Sequence, residues 1–127
     1  MRRRIEFIRA NLLLHVAESF QDVCWRPAAD VYRTPAGWLL KFELAGVRPE
    51  DIELEVRGNR VTLRGVRRDW LLGTDCQYHS LEIAYSSFER TLELPVAPGR
   101  APITTEYQAG MLLVHIRTEE ERTHERR

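Results

Sequence analysis

Two alternating stretches near the end of the chain set the tightest limit on its fold. Phe88-Glu89-Arg90-Thr91-Leu92-Glu93-Leu94-Pro95 alternates apolar and polar residues and stops at a proline. Glu106-Tyr107-Gln108-Ala109-Gly110-Met111-Leu112-Leu113-Val114-His115-Ile116 reads as a turn feeding a last apolar strand. Successive side chains of a strand point to opposite faces, so each stretch needs a second sheet to cover its apolar side. Neither carries a catalytic group. The pattern points away from an enzyme and towards a protein that works through its surfaces and sheet edges.

The same period recurs upstream. Gly37 to Leu44 puts Trp38, Leu40, Phe42 and Leu44 on one face, with Lys41 and Glu43 on the other. Val47-Arg48-Pro49-Glu50-Asp51 is a tight turn in which proline sets φ. Ile52, Leu54 and Val56 alternate with Glu53, Glu55 and Arg57, which read as a solvated face. Gly58-Asn59 signals a two-residue hairpin, and Val61 and Leu63 continue the inward side. Each inward residue contributes roughly 1.5–3 kcal/mol when fully buried. The expectation is an all-β antiparallel sandwich spanning residues 27–117, preceded by a helical arm (1–26) and followed by a charged tail (118–127).

In the arm, Ile5, Ile8, Leu12, Val16 and Phe20 recur at helical spacing, while Phe7 and Leu14 fall on the opposite side. Two readings stand. The helix packs on the sandwich with Phe7 and Leu14 merely exposed, or the second apolar side makes the arm adhesive towards other chains.

The 127 residues suit one domain with short extensions, and 43% hydrophobic residues supply a core. Charge balances at 19 basic against 19 acidic residues, which leaves no global field to attract nucleic acid or an anionic membrane. No stretch approaches the ~20 apolar residues of a membrane span. Glu6, Arg9, Asn11 and His15 interrupt the stretch after Arg2-Arg3-Arg4, so no signal peptide is read. Cys24 and Cys76 form no disulfide framework, which suits a reducing cytoplasm.

Motifs that carry chemistry are missing or incomplete. There is no Walker-type phosphate loop and no Gly-x-Gly-x-x-Gly turn. Cys76 and His79 have ligand spacing, but His15, Cys24, His115 and His124 are dispersed, and a metal site needs three or four ligands. No nucleophile elbow is present. No cofactor, metal or catalytic residue is assigned. Arg90 shares a side with Phe88, Leu92 and Leu94, so its charge needs a partner or a sheet margin. A carboxylate partner is expected, within the chain or across subunits.

Asp30-Val31-Tyr32, Leu44-Ala45-Gly46-Val47-Arg48-Pro49-Glu50-Asp51-Ile52, Ser87-Phe88-Glu89-Arg90 through Leu94-Pro95, and Tyr107-Gln108-Ala109-Gly110-Met111-Leu112 succeed one another in an order that resembles the α-crystallin domain of small heat-shock proteins. The resemblance implies an immunoglobulin-like sandwich, an ATP-independent holdase for unfolding proteins, and a homodimer as building block. It also implies that the long stretch Arg67 to Ser87 carries a strand exchanged with the partner, placed at Tyr78 to Glu82. The dimer contact then falls on Trp70, Tyr78, Ser80, Glu82 and Arg90. Clients are expected at Ile8, Leu12, Leu13, Leu14 and Phe20. A groove is expected between Ile52, Leu54 and Val56 on one side and Ile103 and Thr105 on the other. Many relatives end in an Ile-x-Ile or Ile-x-Val motif that docks in such a groove on a neighbouring subunit. None comes after Ile116 here, so the groove stays open or accepts an apolar pair from the arm. A reading of another class is an adaptor of the same fold that binds one folded partner.

Overall fold

The computed structural model describes residues 2–6, 24–70 and 75–118. Nine strands run in chain order: β1 Arg2–Glu6, β2 Cys24–Trp25, β3 Ala29–Arg33, β4 Trp38–Glu43, β5 Ile52–Arg57, β6 Arg60–Val66, β7 Ser87–Glu93, β8 Ile103–Gln108 and β9 Met111–Ile116. Five form one sheet in the order β1-β5-β6-β7-β2, and four form the other in the order β3-β4-β9-β8. All pairings are antiparallel except the two-residue β2–β7 contact.

The alternation read from the sequence is what holds the two sheets together. Leu40, Phe42 and Leu44 from one sheet and Ile52, Leu54, Val56, Val61, Leu63 and Phe88 from the other are buried in one cluster. Pro49–Asp51 makes a turn of 3₁₀ helix before β5. Gly58 takes a positive φ of 61° at the β5–β6 turn. At the β8–β9 hairpin both central residues, Ala109 (φ 53°) and Gly110 (φ 77°), are left-handed, as a two-residue turn with the native strand twist requires. Gly65 answers a different need. A Cβ there would stand 2.0 Å from the Asp51 carbonyl oxygen and 2.7 Å from the Phe88 ring.

Two expectations are corrected. The arm begins as a strand, not a helix: Arg2–Glu6 pairs along β5, with Ile5 opposite Leu54. The rest of the helical stripe lies outside the described residues. The outer side of β5 is also not solvated, since Glu53 is 1% and Glu55 9% exposed. β5 is an interior strand flanked by β1 and β6. Arg64 of β6 reaches Glu55 at 3.5 Å and Glu89 of β7 at 3.6 Å, forming an ion-pair row across the sheet.

Candidate functional site

The long connection between β6 and β7 is stapled at its base and exposed at its tip. Arg67 supplies most of the staple. Its backbone N–H donates to Ser86 O (2.9 Å), its Nε to Ala84 O (2.9 Å) and its Nη1 to Ala45 O (3.1 Å). The guanidinium lies 3.8 Å from the centroid of the Trp25 ring, which meets Phe88 edge-on at 5.5 Å. Trp70 adds a second anchor: its indole N–H donates to Gly46 O at 3.0 Å, with Arg48 over its ring at 4.6 Å. The near end of the connection is thereby fixed to the turn after β4, and its return at Ala84 and Ser86 is fixed to Arg67.

Beyond that base, Tyr78 (69% exposed), Leu81 (65%) and Ile83 (61%) face solvent, and Tyr85 is partly exposed. Leu81, Ile83 and Tyr85 alternate with Ser80, Glu82 and Ala84, the period of a strand. Yet residues 75–86 join no ladder in the chain. A row of large apolar side chains in water, outside any ladder, is costly unless another surface covers it. A complementary edge exists in the other sheet. β3 ends that sheet, and its Val31 (45% exposed) and Tyr32 (41%) are uncovered.

Of the residues expected at the dimer contact, Trp70 sits at the staple, and Tyr78, Ser80 and Glu82 lie in the exposed stretch. Arg90 is elsewhere. Its Nη1 donates to Pro27 O at 2.8 Å, tying β7 to the segment before β3, and its buried Nε makes no hydrogen bond. The partner within the chain is thus a carbonyl, not the expected carboxylate. A backbone oxygen beside the strand supplies the acceptor that burial demands. The strand expected at Tyr78 to Glu82 takes in Leu81 but stops short of Ile83 and Tyr85, although all three alternate with polar or small residues in the sequence. Arg67 is not singled out by the sequence, because its role depends on tertiary placement.

The expected groove is partly formed. Ile52 and Thr105 come together with Pro49, Tyr107 and Leu112 around a small cavity of about 160 Å³. Tyr107 O–H donates to Leu44 O at 2.6 Å, and burial pushes its phenol pKa up. Leu54 and Val56 are buried in the core, and Ile103 packs against it. The free edge of β5 is taken by β1, the chain's own start. The expected client residues Ile8, Leu12, Leu13, Leu14 and Phe20 lie outside the described residues.

Among the described residues, no three His, Cys, Asp or Glu side chains are placed to hold a metal. No helix among them is long and apolar enough to cross a membrane.

Known proteins share this arrangement. Residues 30–127 match the model of the Hsp20/alpha crystallin family. Small heat shock protein C2 of Rickettsia felis is 27% identical over 95 residues, covering 75% of this chain and 62% of that protein. The chain spans between half and two thirds of the length of such relatives. Among solved structures, HSP18.5 from E. histolytica superposes with a TM-score of 0.62 at 27% identity, over 74% of this chain and 88% of that one. A small heat-shock protein from Xylella fastidiosa, described as having a distinct high order structure, gives 0.60 at 27% identity over 74% and 86%. The matched residues include both sheets from β3 onward and the stapled connection, and on that ground the chain belongs to the Hsp20/alpha-crystallin family of small heat-shock proteins.

Proposed function

We propose that this protein is an ATP-independent holdase whose working unit is a strand-exchanged homodimer. The observation that carries the reading is the exposed alternating run Leu81, Ile83, Tyr85, held out on a stapled base and outside every ladder among the described residues. In the dimer the stretch around Tyr78–Tyr85 adds to the β3 edge of the partner, where Val31 and Tyr32 are uncovered. The exchange covers apolar surface and satisfies two sets of backbone groups at once. Arg90 bonds to the segment leading into β3, and in the dimer its buried Nε, without a hydrogen bond in its own chain, takes an acceptor from the partner.

Clients bind without fuel. A surface that holds exposed apolar segments lowers the free concentration of unfolding chains by mass action. The arm residues Ile8, Leu12, Leu13, Leu14 and Phe20 supply that surface. The cavity at Ile52 and Thr105 is a second, smaller contact. Cys76 is exposed, and an exposed cysteine suits a reducing, cytoplasmic compartment.

The test is sedimentation of the purified chain together with light scattering of two unrelated heated clients in the absence of nucleotide. A dimer or larger species that suppresses both, and a monomeric Leu81→Asp/Ile83→Asp variant that suppresses less, is the expected result. A wild-type monomer that protects neither client overturns the proposal and favours the single-partner adaptor.

A further inference from the structure

The outer edge of the five-stranded sheet carries an unbalanced charge pattern. β1 closes that sheet on one side, and no described strand pairs with its other edge. In register, Arg2 stands opposite Arg57, Arg57 opposite Arg60, and Arg60 opposite Glu93. One cross-strand row therefore runs through three arginines before it reaches a glutamate. That glutamate sits three strands in from the edge, and its 3.9 Å ion pair with Arg60 joins two exposed side chains. Like charges directly opposite each other destabilise a strand pair. An acidic residue one strand further out, beside Arg2, offsets the excess.

The strand itself supplies that residue when it is turned around. Arg2-Arg3-Arg4-Ile5-Glu6 is basic at one end and acidic at the other. Laid antiparallel on a second copy, about a two-fold axis through Arg4, Arg2 meets Glu6, Arg3 meets Ile5, and Arg4 meets Arg4. Two opposite-charge pairs then flank one like pair, and each Arg4 has Glu55 opposite it on β5. A parallel, in-register copy instead faces all three arginines with themselves. Backbone groups agree with the antiparallel choice. Alternate residues of a strand direct their N–H and C=O groups to the same neighbour. With Arg4 at the centre, either alternate set is matched: Arg2, Arg4 and Glu6 to one another, or Arg3 to Ile5.

We propose that β1 is a docking edge for a second copy of this chain, joined β1 to β1, antiparallel and centred on Arg4. The two five-stranded sheets become one continuous sheet. Such a contact is isologous and consumes the edge that makes it, so it joins two units and stops. It is a different surface from the β3 edge and residues 78–85, and it goes beyond the exchanged dimer. Where each unit is an exchanged pair, with two β1 edges, the contact links pairs into a larger assembly.

The test uses the full-length chain carrying Cys24→Ser and Cys76→Ser. Directly opposite Cα atoms of an antiparallel pair lie about 4.5–5.5 Å apart, within the span of a disulfide. Under mild oxidation Arg4→Cys is expected to cross-link to itself. Arg3→Cys and Ile5→Cys are expected to cross-link only when mixed with each other. Charge swaps are then read by sedimentation. Arg2→Glu and Glu6→Arg each turn two attractive pairs into repulsive ones, and each is expected to weaken the association about tenfold. Both leave an opposite charge across from β5, at Arg57 or Glu53, so β1 keeps its place in its own sheet. An equal mixture of the two variants is expected to regain wild-type strength. The swaps are repeated in the Leu81→Asp/Ile83→Asp chain, where the same loss and recovery are expected at higher protein concentration. A failed strand exchange is thereby told apart from a failed β1 contact. Association untouched by either swap, no recovery on mixing, or cross-linking no stronger at position 4 than at 3 or 5 alone would each overturn the proposal.

Discussion

The guanidinium of Arg67 stacks 3.8 Å from the centroid of the Trp25 ring while its Nε and Nη1 donate to Ala84 O and Ala45 O. One side chain thus joins a short N-terminal strand, the turn after β4 and the return of the long connection. A cation over an aromatic ring contributes about 0.5–1 kcal/mol at an exposed site, and hydrogen bonds from a charged donor add to it. Arg67→Ala is expected to lower unfolding stability by about 2 kcal/mol, read as a reduced urea midpoint. It should also weaken self-association in sedimentation, since the base of the donated stretch is released. Unchanged values in both measurements would remove the staple from the account.

Gly65 has no room for a side chain. Gly65→Ala places a methyl against the Asp51 carbonyl and the Phe88 ring. Either β5 and β6 separate or Phe88 leaves its position, at a cost of about 1–3 kcal/mol. Denaturation should show a lower midpoint with the slope conserved. Gly58→Ala is the comparison at a glycine with open space around it, where only the positive φ is strained.

Asp51 makes stability depend on acidity in an unusual direction. Burial raises its pKa, and Arg68, whose Nε lies 3.4 Å from Oδ2, offsets only part of that. The folded state then binds the proton more tightly than the unfolded state. In the window between the ordinary carboxylate pKa and the raised one, this group's contribution to stability falls as pH rises and grows as pH is lowered. Asp51→Asn removes the titration. The difference in urea midpoint, wild type minus variant, should therefore increase on acidification through that window. A difference that shrinks would contradict the assignment of burial as the dominant cause.

The pairing of β1 with β5 is testable without touching the core. Proline at both Arg4 and Ile5 removes the N–H groups that face β5, whichever of the two it is. Amide exchange is expected to quicken at alternate residues of β5, those whose N–H or C=O point towards β1, while the amides paired to β6 stay protected. Binding of an apolar strand-forming peptide at the freed edge should increase. Uniform exchange across β5, as in the wild type, would show that the strand contributes no protection.

Much of the sandwich is legible in the sequence. The alternation in Trp38–Leu44, Ile52–Val56 and Phe88–Leu94 names the inward residues, because in a half-buried strand the side-chain period and the buried face are the same fact. The turns at Pro49 and Gly58-Asn59 rest on backbone chemistry that acts within a few residues. The start of the chain is ambiguous for a physical reason. Ile5 fits both a helical stripe and a strand, and the choice at Arg2–Glu6 is made by an available edge on β5, dozens of residues away. Glu53 and Glu55 likewise look solvated because neighbouring strands cannot be seen in a linear pattern.

Local order, then, was written in the chain: which segments extend, where they turn, and which side of each is apolar, since these depend on steric and solvation rules over short range. The partner of each edge was decided only in three dimensions. The capture of β5 by β1, the gathering of Arg67 onto Trp25, Ala45 and Ala84, and the meeting of Arg33, Arg100 and Arg117 around one cleft all join residues distant in sequence. Backbone groups and charges take whatever complement the folded chain brings within reach, and that reach is set by the packing of the two sheets.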